Sequence, residues 1–198
     1  EALPLINLSI KLNSKDYIAL NTLGIINIAL SKLEEAKENF LNAIHLNRKY
    51  ELSFVNLGRC FELLNLPEDS IKCFIEAEKI NPNSIVSLNN IGGYYVDQGI
   101  YSKALDYFLR AYEKDKLNLL ILSNLAKVYF YLDKYDLAEK YIKICLKINN
   151  KSDDYRKTYG IFLFKQKKYN DAWKFYEARL KLEDFNIKKL HAQKIKNF

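Results

Sequence analysis

Residues 51–84 read ELSFVNLGRCFELLNLPEDSIKCFIEAEKINPNS, and residues 85–118 read IVSLNNIGGYYVDQGIYSKALDYFLRAYEKDKLN. Laid one under the other, they place Leu57-Gly58 over Ile91-Gly92, Phe61 over Tyr95, Ser70 over Ala104, Phe74 over Phe108 and Ala77 over Ala111. The same offset of 34 residues carries the pattern outward to Leu23-Gly24 on one side, and to Leu125-Ala126 and Tyr159-Gly160 on the other. A fixed period of this length marks an array in which each unit is one supersecondary element that buries its apolar face against its neighbours. Five units follow: 17–50, 51–84, 85–118, 119–152 and 153–186.

Within a unit numbered 1 to 34, positions 4, 7, 8 and 11 fall at i, i+3, i+4 and i+7. They make one face of a first helix. Positions 20, 24 and 27 make one face of a second. Position 8 is Gly24, Gly58, Gly92, Ala126 and Gly160; position 20 is Ala36, Ser70, Ala104, Ala138 and Ala172. Small residues there let the two helices approach. Bulky residues at position 11 (Phe61, Tyr95, Tyr129, Leu163) and position 24 (Phe40, Phe74, Phe108, Ile142, Tyr176) fill the space beside that contact. Asn27 at position 11 and Arg179 at position 27 depart from their columns. Turns are expected at Asn65-Leu66-Pro67, Gln98-Gly99 and Leu132-Asp133 within units. Asn81 to Ser84 and Asn149 to Asp153 separate units and supply helix N-caps.

These columns resemble the tetratricopeptide repeat, whose signature is a bulky residue, a Leu-Gly pair, an aromatic, a small residue, a second aromatic and a closing Pro. Pro82 alone matches that Pro. The resemblance implies an all-α fold, a right-handed α-solenoid or superhelix of helix-turn-helix hairpins, and an interaction scaffold with no chemistry of its own. Residues 1–16 hold the register of a second helix whose first half is absent. This suggests a fragment with an exposed apolar end, and self-association through terminal helices is a reading to keep. Residues 187–198 form a basic helix or linker.

Composition agrees. The chain is 49% hydrophobic with only 6 Gly and 3 Pro, which favours helices over disorder. Net charge is +7, of which Lys188, Lys189, Lys194 and Lys196 supply four. The remaining body is nearly balanced, so a nucleic-acid partner is not expected. No apolar run is long enough to span a membrane. Cys60, Cys73 and Cys145 lack metal-ligand or disulfide spacing and are expected to be buried thiols in a reducing, cytoplasmic setting.

No nucleophile, metal or phosphate constellation is present. Neither catalytic residues, nor a metal, nor a cofactor is expected. His45 is expected on the surface. Gly92-Gly93 falls mid-helix, and Glu34-Glu35, Glu68-Asp69 and Asp153-Asp154 fall at helix starts, where they complement the helix dipole.

Position 6 reads Thr22, Asn56, Asn90, Asn124 and Thr158. In tetratricopeptide superhelices this position points into the concave groove. The column resembles the asparagine ladder of the O-linked N-acetylglucosamine transferase superhelix, which holds the backbone of an extended peptide; one amide offers both a donor and an acceptor. Asn is also common at this position in the family, so consensus drift is the competing explanation. Positions 2, 5, 9, 12 and 13 are expected to line the groove beside it. The peptide-binding set is therefore Asn56, Asn90, Asn124, Arg59, Lys127, Tyr131, Lys157 and Lys165, with more positive charge toward the last repeats. Position 5 and position 9 never pair as Lys and Asn, which disfavours a carboxylate clamp for chaperone tails. Residues 171–180, DAWKFYEARL, resemble the last repeat of bacterial arrays that precede a glycosyltransferase domain. That resemblance implies an alternative role as a substrate-recruiting segment. The expected partner is a protein or peptide.

Overall fold

The computed structural model describes residues 2–175, all helix and turn with no strand among them. These residues divide into two compact units, with the boundary between Asp115 and Lys116. The first holds α1 (Ala2–Leu12), α2 (Tyr17–Ala29), α3 (Leu33–Leu46), α4 (Glu51–Leu63), α5 (Pro67–Ile80), α6 (Ile85–Asp97) and α7 (Tyr101–Lys114). The second holds α8 (Leu119–Tyr131), α9 (Tyr135–Ile148) and α10 (Asp153–Lys165), and is helical again over residues 169–175. Tyr176 and Arg179, the second half of the 171–180 motif, and the basic segment 187–198 lie outside the described residues.

Helices α2, α4, α6, α8 and α10 start 34 residues apart. In the first unit α2 pairs with α3, α4 with α5 and α6 with α7, and the hairpins stack through α3 on α4 and α5 on α6; in the second, α8 pairs with α9 and α9 with α10. The core is the expected set of columns. Phe40, Phe74, Phe108 and Ile142 at position 24 are fully buried, as are Ala43, Ala77, Ala111 and Cys145 at position 27. A Cβ on Gly24, Gly58 or Gly92 would come within 2.4, 2.5 or 2.6 Å of the position-24 phenylalanine of its own repeat. Glycine there leaves room for an aromatic ring, beyond allowing the backbones to approach. In the fourth repeat the pair is Ala126 and Ile142, both fully buried: a side chain gained on one helix is matched by a shorter one on the other.

The ends of the first helices share one device. Position 15 has positive φ in all five cases: Ser31 (60°), Asn65 (60°), Gly99 (70°), Asp133 (57°) and Lys167 (60°). The next amide reaches back to the carbonyl of position 11, from Lys32 to Asn27 and from Leu66 to Phe61, at 2.8–2.9 Å. This is the Schellman arrangement. At the other end Asp16, Ser84, Asn118 and Ser152 accept hydrogen bonds from first-turn amides, as their residue types lead one to expect. Tyr50 occupies the same place without a side-chain cap and packs its ring edge on Tyr17, centroids 5.0 Å apart.

The three cysteines are free and buried, His45 is exposed, and Gly92-Gly93 sits inside α6. On α1, Leu5, Leu8 and Leu12 are exposed.

Candidate functional site

At about 100° per residue, positions 2, 6, 9 and 13 of each first helix form a stripe roughly opposite the core face of positions 4, 7, 8 and 11. The structure exposes this stripe, and much of it is apolar. In the first unit Ile18, Leu52 and Val86, all at position 2, are 50%, 44% and 49% exposed. Isolated exposed aliphatics need no explanation, but three in one column of a repeating face do. Ile25 and Leu63 extend the stripe, and its charges are Arg59 and Asp97, both exposed.

Position 5 corrects the sequence expectation. Asn21, Val55 and Ser123 are buried, not exposed to a groove; Asn89 is half-buried, and Lys157 of α10 is the exposed member of the column. Stacking at 34 residues lays successive first helices side by side, α2 beside α4 and α8 beside α10, and position 5 falls on that flank. Asn21 becomes a buried acceptor: its Oδ1 receives Asn56 Nδ2 at 3.0 Å and Ser53 Oγ at 3.4 Å. Asn56 is half-buried and already gives one donor to the neighbouring repeat. Asn90 is also half-buried; its Oδ1 accepts from Asn89 Nδ2 at 3.4 Å, and its own Nδ2 is buried without a partner. These amides thus sit at the seam between helices as well as on the stripe. Sequence reasoning also missed Glu51, whose carboxylate accepts from Ser87 Oγ at 3.0 Å and Asn81 Nδ2 at 2.9 Å. The only signal is a serine at position 3 in consecutive repeats.

In the second unit the same stripe is different in character. Leu120, Tyr131 and Ile161 are exposed on it, with Phe164 beside them at position 12. Lys127, Lys157 and Lys165 are exposed, and Asn124 is half-buried. The rings of Phe130 and Phe162 stack at 4.5 Å, joining α8 to α10, and Phe130 also meets Tyr131 and Tyr135 edge-on. Behind this face Glu139 gathers Lys143 Nζ at 2.6 Å, Tyr159 Oη at 2.9 Å and Lys168 Nζ at 3.4 Å. Burial raises its pKa, but the hydrogen bonds from Lys143 and Tyr159 and the two ammonium charges override burial and hold it at about 2. Burial first, and then the nearby carboxylates of Asp69 and Glu76, push the Cys73 thiol up to about 12, and burial pushes Cys145 up to about 11. These thiols are not nucleophiles.

Residues 53–84 and 121–152 match the family profile described as tetratricopeptide repeat. A TPR repeat-containing protein of Methanocaldococcus jannaschii is 35% identical over 82 residues, which is 41% of this chain and 14% of the relative. The BBSome complex member BBS4 of Bos taurus is 27% identical over 168 residues, 85% of this chain and 32% of the relative. The chain thus spans a third or less of the length of these two relatives. Among solved structures, pilF of Pseudomonas aeruginosa aligns with a TM-score of 0.74 at 22% identity, covering 83% of this chain and 76% of that one. YrrB, described as a TPR protein with an unusual peptide-binding site, aligns at 0.72 and 15% identity over 96% and 97% of the two chains. Residues 53–84 and 121–152 are tetratricopeptide repeats, the fold is an all-helical solenoid, and that fold is consistent with a protein–protein interaction scaffold. The resemblance to glycosyltransferase-linked arrays and to the O-linked N-acetylglucosamine transferase groove finds no support in these comparisons.

Proposed function

We propose that this chain is a non-catalytic interaction scaffold that takes an extended polypeptide segment along the outward stripe of its first helices. The observation that carries the reading is the column Ile18, Leu52 and Val86 of the first unit, apolar and exposed on the side of each helix away from its core; within the second unit Leu120 is exposed at the same position of α8. Burying such side chains against a partner is the main source of association free energy. Asn56, Asn90 and Asn124 serve the ligand backbone through the amide atoms left after their contacts within the array. Arg59, Lys127, Tyr131, Lys157 and Lys165 meet ligand side chains. YrrB, a neighbour in fold, lends a precedent for peptide binding.

The test is selection of dodecapeptides from a random display library on the full chain, followed by fluorescence anisotropy with the synthesised peptides. A variant carrying Leu52→Asp, Val86→Asp and Leu120→Asp alters only exposed side chains, so circular dichroism should be unchanged. It should bind the selected peptides about tenfold or more weakly, since each lost apolar contact is worth roughly 1 kcal/mol. Equal affinity for both proteins refutes the reading.

A further inference from the structure

The stripe of the second unit has a charge that the first lacks. Its exposed ionic residues are Lys127 and Lys165 against a single acid, Asp154, and Lys157 stands exposed beside it at position 5 of α10. None of the three lysines is ion-paired with another described residue, although Lys143, Lys168 and Lys174 of the same unit are. Between them stand Leu120, Tyr131, Ile161 and Phe164, 57%, 50%, 39% and 61% exposed. The stacked pair Phe130 and Phe162 holds α8 against α10, so both helices contribute to one face.

Resting on the scaffold reading above, we infer that the face of α8 and α10 selects a polypeptide segment in which carboxylates alternate with aromatic or aliphatic side chains. The lysines attract and orient such a segment, and these ammonium groups, which pair with no other described residue, give up no ion pair among the described residues when it docks. The tyrosine and phenylalanine supply the rigid apolar anchors typical of interface centres. A purely basic or purely neutral segment leaves one of the two components without a partner. A nucleic acid would meet the lysines too, and the oligonucleotide arm of the experiment separates the two.

The experiment sequences the dodecapeptide pools selected on the full chain and on a Lys127→Glu, Lys157→Glu, Lys165→Glu variant. A glutamine version of the same triple change serves if the glutamate version loses helicity. The pool from the unaltered chain should be enriched in Asp and Glu together with Phe, Leu or Tyr. A synthesised member should bind the lysine-free variant about tenfold more weakly, and its affinity should fall as salt is raised. The same peptide with Lys in place of its acids should bind the glutamate variant better than the original chain. A pool without acidic excess, whose binding the column-two aspartate variant nevertheless abolishes, overturns the acidic selectivity and leaves the scaffold reading standing. A pool indifferent to both variants overturns both. Tight binding of a 20-nucleotide oligouridine at physiological salt, lost in the lysine variant, assigns the face to nucleic acid and also overturns the inference.

Discussion

Gly92 and Gly93 are neighbours inside α6, and replacing each by alanine should have opposite effects. A Cβ on Gly92 would lie 2.6, 2.8 and 2.9 Å from Cε1, Cζ and Cδ1 of Phe108, whose side chain is 1% exposed. Ordinary carbon contacts are at 3.5–4.0 Å, so the ring must move by roughly 1 Å within a filled core. Overpacking of this kind costs about 1–3 kcal/mol, while alanine gains up to about 1 kcal/mol over glycine as a helix former. The net expectation is a loss of about 1–2 kcal/mol for Gly92→Ala. Nothing lies within 4 Å of a Cβ on Gly93, so Gly93→Ala should stabilise by up to about 1 kcal/mol. The fourth repeat supplies the rescue, because Ala126 faces Ile142 there. Phe108→Ile alone leaves a cavity and should destabilise, but the pair Gly92→Ala, Phe108→Ile should lose at least about 1 kcal/mol less than the sum of its parts. Urea titration by circular dichroism measures the shifts, and amide exchange in α6 and α7 localises them should the array unfold in steps. Gly92→Ala matching or exceeding the unaltered protein in stability, or strict additivity in the double variant, refutes the reasoning.

Four further outcomes follow from the same geometry. Glu139 has a folded pKa near 2, below its usual value, so its stabilisation is present above about pH 4.5 and is lost as pH falls toward 2; Glu139→Gln should remove about 2–3 kcal/mol at pH 7 and almost none at pH 2, read from paired stability profiles. Ser31→Gly should raise the melting temperature, because the left-handed backbone there costs a non-glycine residue about 1 kcal/mol; a lower melting temperature would count against the cap. Asn56→Ala should cost about 1–3 kcal/mol in stability by leaving buried Asn21 with only the longer bond from Ser53, and an unchanged urea midpoint contradicts this. Cys73 and Cys145 should react with a thiol reagent at pH 8 only at the rate of unfolding, whereas fast labelling of the native protein contradicts their burial.

The repeat itself was legible from order along the chain. Helix starts, caps at Ser84 and Ser152, and the buried columns all follow from properties that act within a few residues: apolar periodicity, capping oxygens and small side chains. Tyr50 shows where a local rule gives way, since its ring packs on Tyr17 and no capping oxygen is present. The left-handed turns at Ser31 and Lys167 were hidden for a related reason. Neither residue type favours that conformation, and only the need to close the first helix onto the second imposes it.

What the tertiary structure alone decided lies between repeats. Position 5 looked like groove, yet Asn21, Val55 and Ser123 are buried because the next first helix lies alongside. Asn56 reaches Asn21 across 35 residues, Ser87 reaches Glu51 across 36, and Lys168 reaches Glu139 across 29. No pattern inside one repeat encodes such contacts, because they depend on how far each hairpin is displaced and turned against the last. The sequence by itself determined that the chain repeats, that it is helical, and which residues fill each hairpin. The packing of hairpin on hairpin determined which polar side chains are used up holding the array together and which apolar and basic ones remain exposed for a partner, since burial is a property of neighbours in space and not of neighbours in the chain.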